Sequence, residues 1–318
     1  MIESVLFVFL GLTLLVTGGE LLVRSASKIA NTLGISPLVI GLTIVAYGTS
    51  APELGVSLFA AIQGSPEIAL ANVVGSNIFN IGLILGLCSL IAPLTVHLQL
   101  IKFEVPIMIL VSVLSYLFCL DGKLGRTEGV SLFLGAVFYT SWLVRASKKE
   151  SAKNRNKIVS AVADRKVEGL FKDSSFILLA LVVLIAGSKL LVNGAVDLAK
   201  LLGVSDSLIG LTIVAAGTSL PEVATSVMAT VRGKTDIAIG NVIGSNIFNI
   251  LFILGLSSSI NSGLKVDPSI IQFDLLFMVG LAVICLPFLM TAKRLVWWEG
   301  TVLLGGYFAY IVFLVYRG

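Results

Sequence analysis

Charged residues are scarce in this chain of 318 residues. Lys, Arg, Asp and Glu together make up 13% of it, against about a quarter in an ordinary soluble domain. This charge cannot cover a water-facing surface of that size, which excludes a soluble globular protein of ordinary composition. Hydrophobic residues make up 57% and the mean hydropathy is +1.03, and apolar runs of about 18 residues or more recur along the chain. The composition therefore indicates an integral membrane protein.

Residues typical of soft-metal and redox sites are also scarce. There is a single histidine, His97, and the three cysteines form no CxxC pair. Soft or borderline metals prefer sulfur and imidazole ligands, so the sequence favours neither a zinc site nor a redox site. The cysteines lie in or at the ends of apolar runs, where we expect buried free thiols that act as small hydrophobic groups. We expect His97 to be a solvated loop residue.

Apolar segments predict an all-α integral membrane protein with ten transmembrane helices. The first segment has no basic residue before it and no small-residue cleavage site after it, so we expect a retained helix rather than a secretory signal. The predicted segments are roughly 3–23, 36–63, 69–92, 103–120, 127–146, 174–194, 205–231, 237–260, 272–290 and 297–316.

A single long polar stretch, residues 146–173, separates the fifth segment from the sixth. We predict a charged linker there, partly helical around 158–170. The linker divides the chain into two five-helix repeats, 1–145 and 174–318. Most of the 22 basic residues fall in the linker and in loops on the same side of the membrane. Because cytoplasmic loops carry the excess of Lys and Arg, we predict a multi-pass protein of the cell (plasma or inner) membrane with a cytoplasmic linker and both termini outside.

The two halves of the chain share a sequence repeat. Residues 41–87 align with 210–256 without a gap, and well over half of the aligned positions are identical. GLTIVAYGTSAPEL matches GLTIVAAGTSLPEV, and NVVGSNIFNI matches NVIGSNIFNI. Because five is an odd number, the second repeat crosses the membrane in the opposite sense. Inverted-topology repeats are typical of secondary transporters, with the substrate site near the midplane where the halves meet.

Two acidic residues lie in the middle of predicted spans, at equivalent positions of the repeat: Glu53 and Glu222. No Lys or Arg lies near either of them within its span. Ionisable groups deep in a membrane are costly and usually functional, and two carboxylates without an internal counter-charge favour a cation. The alternative is a protonated pair that only hydrogen-bonds within a helix seam.

Each acid follows the motif Gly-Thr-Ser-x-Pro. Proline removes a backbone donor and clashes with the carbonyl four residues earlier, at Gly48 and Gly217. We therefore predict a break in each helix and freed carbonyls near Ala46 and Ala215. A broken helix at membrane depth is tolerated where it lines a cavity or is buried in protein. Hydroxyls, carbonyls and carboxylates together form an all-oxygen ligand set, which suits Ca²⁺ and Na⁺.

The GSNIFN motif places polar residues four apart, on one helical face, in each repeat. These are Ser76 with Asn80, and Ser245 with Asn249. For both asparagines we favour coordination of an ion or of water. The other pair, Asn77 and Asn246, lies off that face, where each residue bonds a neighbouring helix or caps a break. Gly75 and Gly244 are expected to allow close helix approach. The alternative is a small-polar seam that only holds helices together.

These paired motifs resemble the two α-repeats of the calcium/cation antiporter superfamily, and specifically its sodium/calcium exchanger branch of the prokaryotic type. The resemblance covers nearly the whole chain and implies exchange of Ca²⁺ for Na⁺ by alternating access. One Ca²⁺ or two Na⁺ would neutralise the two glutamates, so a third Na⁺ would make the exchange electrogenic, as we expect. Some relatives, the potassium-dependent exchangers among them, have Asp at the position of Asn249, which weakens the case for K⁺ co-transport. The resemblance implies a metal site formed by Glu53, Glu222, Thr49, Thr218, Ser50, Ser219, Ser76, Ser245, Asn80 and Asn249, with the carbonyls of Ala46 and Ala215.

Other functions remain open at this stage. The nearest is a Ca²⁺/H⁺ antiporter that uses the same two glutamates. An intramembrane enzyme is disfavoured, because no histidine lies within a span to serve as a base and no HExxH motif occurs. The inverted repeat disfavours a passive channel. We expect no cofactor and no nucleic-acid partner; the expected partners are the transported Ca²⁺ and Na⁺, with H⁺ as the alternative ion, and the lipid bilayer.

Overall fold

The computed structural model describes residues 1–155, 163–204, 209, 212–213, 215–260 and 263–317. Helices account for most of these residues, joined by loops and four strands of two residues each. We number the long helices in chain order: α1 Ile2–Leu33, α2 in two pieces Pro37–Thr49 and Ala51–Ile62, α3 Glu67–Ile91, α4 Leu100–Phe118, α5 Arg126–Arg155, α6 Ala163–Leu201, α7 Leu220–Val231, α8 Thr235–Ser259, α9 Ile270–Met290 and α10 Trp297–Arg317.

Eight of these helices are long and apolar enough to cross a membrane, and the bent α2 makes a ninth, counted over the described residues. The helical part of α7 has 12 residues. Its predicted span also includes 205–208, 210, 211 and 214, which lie outside the described residues. A membrane protein built from helices is therefore confirmed, whereas the count of ten spans stays a prediction.

The ends of several helices differ from the predicted segments. The first helix continues to Leu33, well past the predicted end at 23. The prediction followed the apolar run, whereas the helix also includes the more polar residues after it. It ends at Gly34, whose φ of 68° is the left-handed conformation common at helix C-termini. Of the predicted linker at 146–173, residues 156–162 lie outside the described residues. The described part is helical, since α5 continues to Arg155 and α6 begins at Ala163, and the predicted helix at 158–170 is observed from Ala163 onward.

Helices α1 and α6, which are equivalent in the repeat, pack against each other in antiparallel directions. A Cβ atom at Gly11 would lie 2.5 Å from the backbone nitrogen of Leu191, and one at Gly194 would lie 2.6 Å from the carbonyl oxygen of Ser4. Glycines thus bring the two backbones into direct contact, the small-residue packing typical of membrane helices.

The short strands link the two halves crosswise. Leu94–Thr95 (β1) pairs with Arg294–Leu295 (β4), and Lys123–Leu124 (β2) pairs with Leu264–Lys265 (β3). Both pairs are antiparallel. Each strand therefore has its partner in the other half of the chain, at the ends of the spans rather than within them.

The three cysteines are free and buried, as predicted. The side chain of His97 is 53% exposed, and its Nε2 lies 3.0 Å from a carboxylate oxygen of Asp236. His97 is therefore an exposed loop residue, as the sequence indicates. No group of three or more His, Cys, Asp or Glu side chains that would suit a metal ion occurs among the described residues.

Candidate functional site

Both glutamates lie in the first turn of a helix that begins after a break. The two pieces of α2 meet at Ser50 with a bend of 47°. Pro52 and Glu53 then occupy the first turn of the second piece, and Pro221 and Glu222 occupy the first turn of α7. Proline is tolerated there because the first helical amides have no intrahelical acceptor. The predicted break is confirmed in α2, and each carboxylate is at the electropositive end of a helix, a favourable position for an anion.

The two repeats exchange hydrogen bonds through the serines of these motifs. Ser50 Oγ donates to Glu222 Oε1 at 2.9 Å, and Ser219 Oγ donates to Glu53 Oε1 at 2.7 Å. All four side chains are almost fully buried, with at most 1% exposure. Each glutamate is therefore held by the motif of the other repeat, and the two motifs form one site.

The serines of GSNIFN extend this network. Ser76 Oγ lies 3.2 Å from Ser219 Oγ, and Ser245 Oγ lies 3.0 Å from Ser50 Oγ. Since Ser219 and Ser50 contact the glutamates, α3 and α8 each bring a hydroxyl into the second layer around a carboxylate. Each of these contacts joins the GSNIFN motif of one repeat to the Gly-Thr-Ser-x-Pro motif of the other.

Asn80 and Asn249 begin stretches of wider helix within α3 and α8. The π-helical turns cover Asn80–Leu85 and Asn249–Leu254. Such turns are rare and frequent at functional sites, because the extra residue leaves local backbone groups less regularly paired. Sequence periodicity alone gave no sign of them.

Four buried carboxylate and amide oxygens in this network have no hydrogen-bond partner in the protein. They are Oε2 of Glu53, Oε2 of Glu222, Oδ1 of Asn80 and Oδ1 of Asn249. An unpaired buried polar atom is costly, and these four form two repeat-equivalent pairs. Their chemistry, two carboxylate and two amide oxygens, matches the ligands that Ca²⁺ and Na⁺ prefer. The donor set therefore fits a hard cation and offers no nitrogen or sulfur ligand.

Glu104, another buried acid within the described spans, has different surroundings. Glu104 in α4 is 0% exposed, yet both of its oxygens are occupied. Gln99 Nε2 donates to Oε1 at 2.9 Å, and the hydroxyl of Tyr139 donates to Oε2. This carboxylate is therefore satisfied by the protein, in contrast to Glu53 and Glu222.

The prediction that the prolines free nearby carbonyls is wrong for Ala46. The Ala46 carbonyl is not freed from the helix, because it accepts from the Ser50 amide at 3.0 Å. Pro52 removes the amide that would serve Gly48 rather than the one that serves Ala46. In the second repeat, the Gly217 carbonyl accepts a hydrogen bond from the hydroxyl of Ser188 in α6. The Ala46 carbonyl also accepts long hydrogen bonds from Thr49 Oγ1 at 3.4 Å and Ser245 Oγ at 3.5 Å. For Ala46 and Ala215 the carbonyl ligand stays a prediction.

The two threonines of the motifs differ. Thr49 is buried, and its hydroxyl donates to Asn241 Oδ1 at 3.2 Å. Thr218 is only partly buried, its hydroxyl has no partner, and it lines a cavity of about 430 Å³. The equivalent of Asn241 in the first repeat, Asn72, also lines this cavity. The two repeat-equivalent residues are therefore joined by a hydrogen bond in one half, whereas in the other half both of them line a cavity.

The cavity leads away from the site toward one end of the helices. Ser76 and Thr218 lie on its wall at the site, and Ile270 and Asp274 line it where α9 begins. The hydroxyl of Tyr310 donates to Asp274 Oδ1 at 2.9 Å. The cavity thus extends from Ser76 and Thr218 toward the side on which α3 and α9 begin and α10 ends.

Some of the residues that organise the site carry no motif of their own. Asn72 Nδ2 donates to Ser57 Oγ and Asn241 Nδ2 donates to Ser226 Oγ, each at 2.9 Å. Ser57 and Ser226 are identical in the two repeats, so the alignment contained a signal for them. Ser188 has Gly19 at the equivalent position and left no such signal.

Comparison with known proteins agrees with this geometry. The family model described as "Sodium/calcium exchanger protein" matches residues 3–145 and 174–316. The chain is 37% identical to the sodium/calcium exchanger MaX1 of Methanosarcina acetivorans, over 98% of both chains. It is 45% identical to the putative antiporter CaxA of Alkalimonas amylolytica, over 83% of this chain and 82% of that protein.

Solved structures give the same result. The sodium–calcium exchanger NCX_Mj, soaked with Na⁺ in the absence of Ca²⁺, superimposes with a TM-score of 0.85 at 30% sequence identity. The match covers 98% of each chain. The resemblance predicted from the paired motifs is confirmed: the chain belongs to the sodium/calcium exchanger family of the calcium/cation antiporter superfamily.

Proposed function

We propose that the chain exchanges Ca²⁺ for Na⁺ across the membrane by alternating access, with net movement of charge. The observation that carries the proposal is the set of four unpartnered oxygens on Glu53, Glu222, Asn80 and Asn249. A buried site that leaves two carboxylate and two amide oxygens unpaired gains stability from a bound hard cation. A merely structural hydrogen-bond seam would leave none of them free.

Charge arithmetic relates this site to exchange. With Asn at both amide positions, the site holds two formal negative charges, from Glu53 and Glu222. One Ca²⁺ or two Na⁺ neutralise them, so that the two ions compete for the same carboxylates. Without a bound ion, the two negative charges lie unneutralised in a medium of low dielectric, so the change from one access state to the other is unfavourable. A third Na⁺ would leave the loaded site positive, which makes each turnover electrogenic.

The remaining predicted ligands supply further oxygens. Hydroxyls of Ser50 and Ser219 contact the carboxylates, and those of Ser76 and Ser245 lie one contact further out. Thr49 and Thr218 directly precede Ser50 and Ser219 in the motifs and bring two more hydroxyls. Hydroxyls that now donate to a carboxylate or to one another turn a lone pair toward a cation when it binds. We assign the carbonyls of Ala46 and Ala215 the same supporting role.

The inverted repeat gives alternating access its structural basis. The antiparallel packing of α1 against α6 and the crosswise strand pairs support two halves of opposite orientation. The cavity beside Thr218, where the equivalent Thr49 is instead hydrogen-bonded to Asn241, supports access from one side. We further propose two five-helix repeats, 1–145 and 174–318, a cytoplasmic linker at 146–173, and a cell membrane location with both termini outside.

Transport by the purified chain in proteoliposomes tests the proposal. We expect an outward Na⁺ gradient to drive uptake of radiolabelled Ca²⁺, and an imposed membrane potential to change its rate. Uptake that ignores Na⁺ and follows a pH gradient would overturn Na⁺ coupling and leave the Ca²⁺/H⁺ antiporter. Uptake that needs no counter-ion gradient and shows no exchange would indicate a channel.

A further inference from the structure

Four asparagine amides form a closed hydrogen-bonded set between α3 and α8. Asn80 Nδ2 donates to Asn246 Oδ1, and Asn249 Nδ2 donates to Asn77 Oδ1, each at 3.0 Å. All four side chains are 1% exposed. Each bond joins one repeat to the other, so the residue that contacts Asn80 belongs to the second GSNIFN motif and the residue that contacts Asn249 belongs to the first.

The amides of Asn77 and Asn246 are themselves fixed in orientation. Asn77 Nδ2 donates to the backbone carbonyl of Asn246 at 3.2 Å, and Asn246 Nδ2 donates to that of Asn77 at 3.5 Å. If either amide turned over, its oxygen would face a carbonyl oxygen and its nitrogen would face another amide nitrogen. Both contacts are repulsive, and no water-filled space compensates for them in a buried seam.

This fixed orientation decides which atom Asn80 and Asn249 turn toward the ions. An asparagine side chain has an oxygen that attracts a cation and an NH₂ group that repels it. Because each nitrogen is held by the opposite repeat, Oδ1 is the atom left over, and it has no partner in the protein. The two neutral oxygens thus add ligands without adding to the two negative charges of the glutamates.

We propose that Asn77 and Asn246 are positioning residues that set the cation affinity of the site through the amide orientation of Asn249 and Asn80. The inference rests on the proposed cation site and deepens it. Neither residue is assigned to the ligands themselves; each acts through a neighbour in the other repeat. Loss of such an outer contact typically costs about 10- to 100-fold in metal affinity.

The test compares Asn77→Leu with Asn77→Asp. Leucine has a similar volume but no acceptor, so the amide of Asn249 is free to rotate. We expect the KM for Ca²⁺ in Na⁺-driven uptake to rise about 10- to 100-fold. Aspartate keeps an oxygen toward Asn249 and, when protonated, also an O–H for the Asn246 carbonyl, so we expect a KM close to that of the wild type. The pair Asn246→Leu and Asn246→Asp should behave in the same way.

A control and a second readout separate positioning from mere packing. Ser258→Ala removes a buried hydroxyl from α8 that donates to Leu254 and Gly255 within the helix, and it should leave the KM unchanged. Binding of Ca²⁺ should raise the unfolding temperature of the purified wild type and of Asn77→Asp, but raise that of Asn77→Leu much less. Asn77→Ala replaces the leucine variant if the latter does not fold.

Two results distinguish failure of the inference from failure of the function. If Asn77→Leu lowers the maximal rate but keeps the wild-type KM and the full Ca²⁺-dependent shift, the positioning role is wrong and the asparagines only join helices. If the wild type itself shows no Na⁺-driven uptake, Na⁺/Ca²⁺ exchange is wrong. The Ca²⁺-dependent shift of the variants then still decides the positioning role.

Discussion

The hydroxyl of Ser50 in the first repeat donates a hydrogen bond to Oε1 of Glu222 in the second, across 172 positions of sequence. The bond from Ser219 to Glu53 is its repeat-equivalent. Neither motif is thus complete without the other: each provides the hydroxyl that holds the opposite carboxylate. The site is an interface between two halves of one chain, and its variants should show that reciprocity.

Ser50→Ala and Ser219→Ala should therefore have similar effects. Each removes one bond to a buried carboxylate oxygen and one potential ion ligand. We expect the KM for Na⁺ and for Ca²⁺ to rise about tenfold or more in both, measured as gradient-driven uptake in proteoliposomes. A large effect of one substitution alongside wild-type behaviour of the other would contradict a shared site.

Glu53→Gln and Glu222→Gln should each abolish Ca²⁺ transport. Each leaves one negative charge, which cannot neutralise a divalent cation in a buried site. Glu104→Gln is the matched control, because that buried glutamate has both oxygens hydrogen-bonded within the protein. We expect the control to retain Ca²⁺ uptake at a measurable rate. Full uptake by either of the first two variants would remove that residue from the site.

Asn249→Asp should weaken transport although it adds a negative charge. The substitution replaces the NH₂ group that faces Asn77 Oδ1 at 3.0 Å with an oxygen, which sets two oxygens against each other in a buried seam. Asn80→Asp meets Asn246 Oδ1 in the same way. We expect both variants to show lower thermal stability and a changed KM for Ca²⁺. Wild-type stability and KM in both would show that the amide orientation has no consequence.

Gly244→Ala and Gly75→Ala should differ, although the two glycines are repeat-equivalent. A Cβ at Gly244 would lie 2.7 Å from the Cα and the carbonyl oxygen of Leu42, whereas one at Gly75 meets nothing within 4 Å. Overpacking against backbone costs about 1–3 kcal/mol. Thermal unfolding in detergent should show a lower midpoint for Gly244→Ala and little change for Gly75→Ala. Equal midpoints would mean that the backbone contact at Leu42 relaxes without cost.

This asymmetry also marks the limit of prediction from sequence. The repeat gave both glycines the same expected role, close helix approach, which is confirmed for Gly244 and wrong for Gly75. Gly75 lines the cavity instead. Two nearly identical motifs cannot reveal which glycine packs against a helix and which lines a cavity, because that difference arises from the conformation of the whole molecule.

The sequence predicted which residues form the site better than it predicted their hydrogen-bond partners. The mid-span glutamates, the prolines and the four-residue spacing of Ser76 and Asn80 are local patterns, and each indicated a role in an oxygen site. The crossing of the bonds, in which Asn80 contacts Asn246 rather than a residue of its own repeat, depends on how α3 and α8 pack. The same is true of Ser188, which satisfies the Gly217 carbonyl from a helix that no local pattern joins to it.

The reciprocal bonds have a consequence for direction. Exchanging the two repeats maps Ser50 with Glu222 onto Ser219 with Glu53, so the ligands themselves have no front or back. An ion at these two carboxylates meets the same pair of serine and glutamate side chains from either repeat. What has a side is the route: the cavity wall with Asp274 and Tyr310 belongs to one face of the molecule. If the chain exchanges ions as proposed, neither direction of transport is favoured by the reciprocal Ser–Glu bonds, and an asymmetry between the two directions would have to arise in the access route.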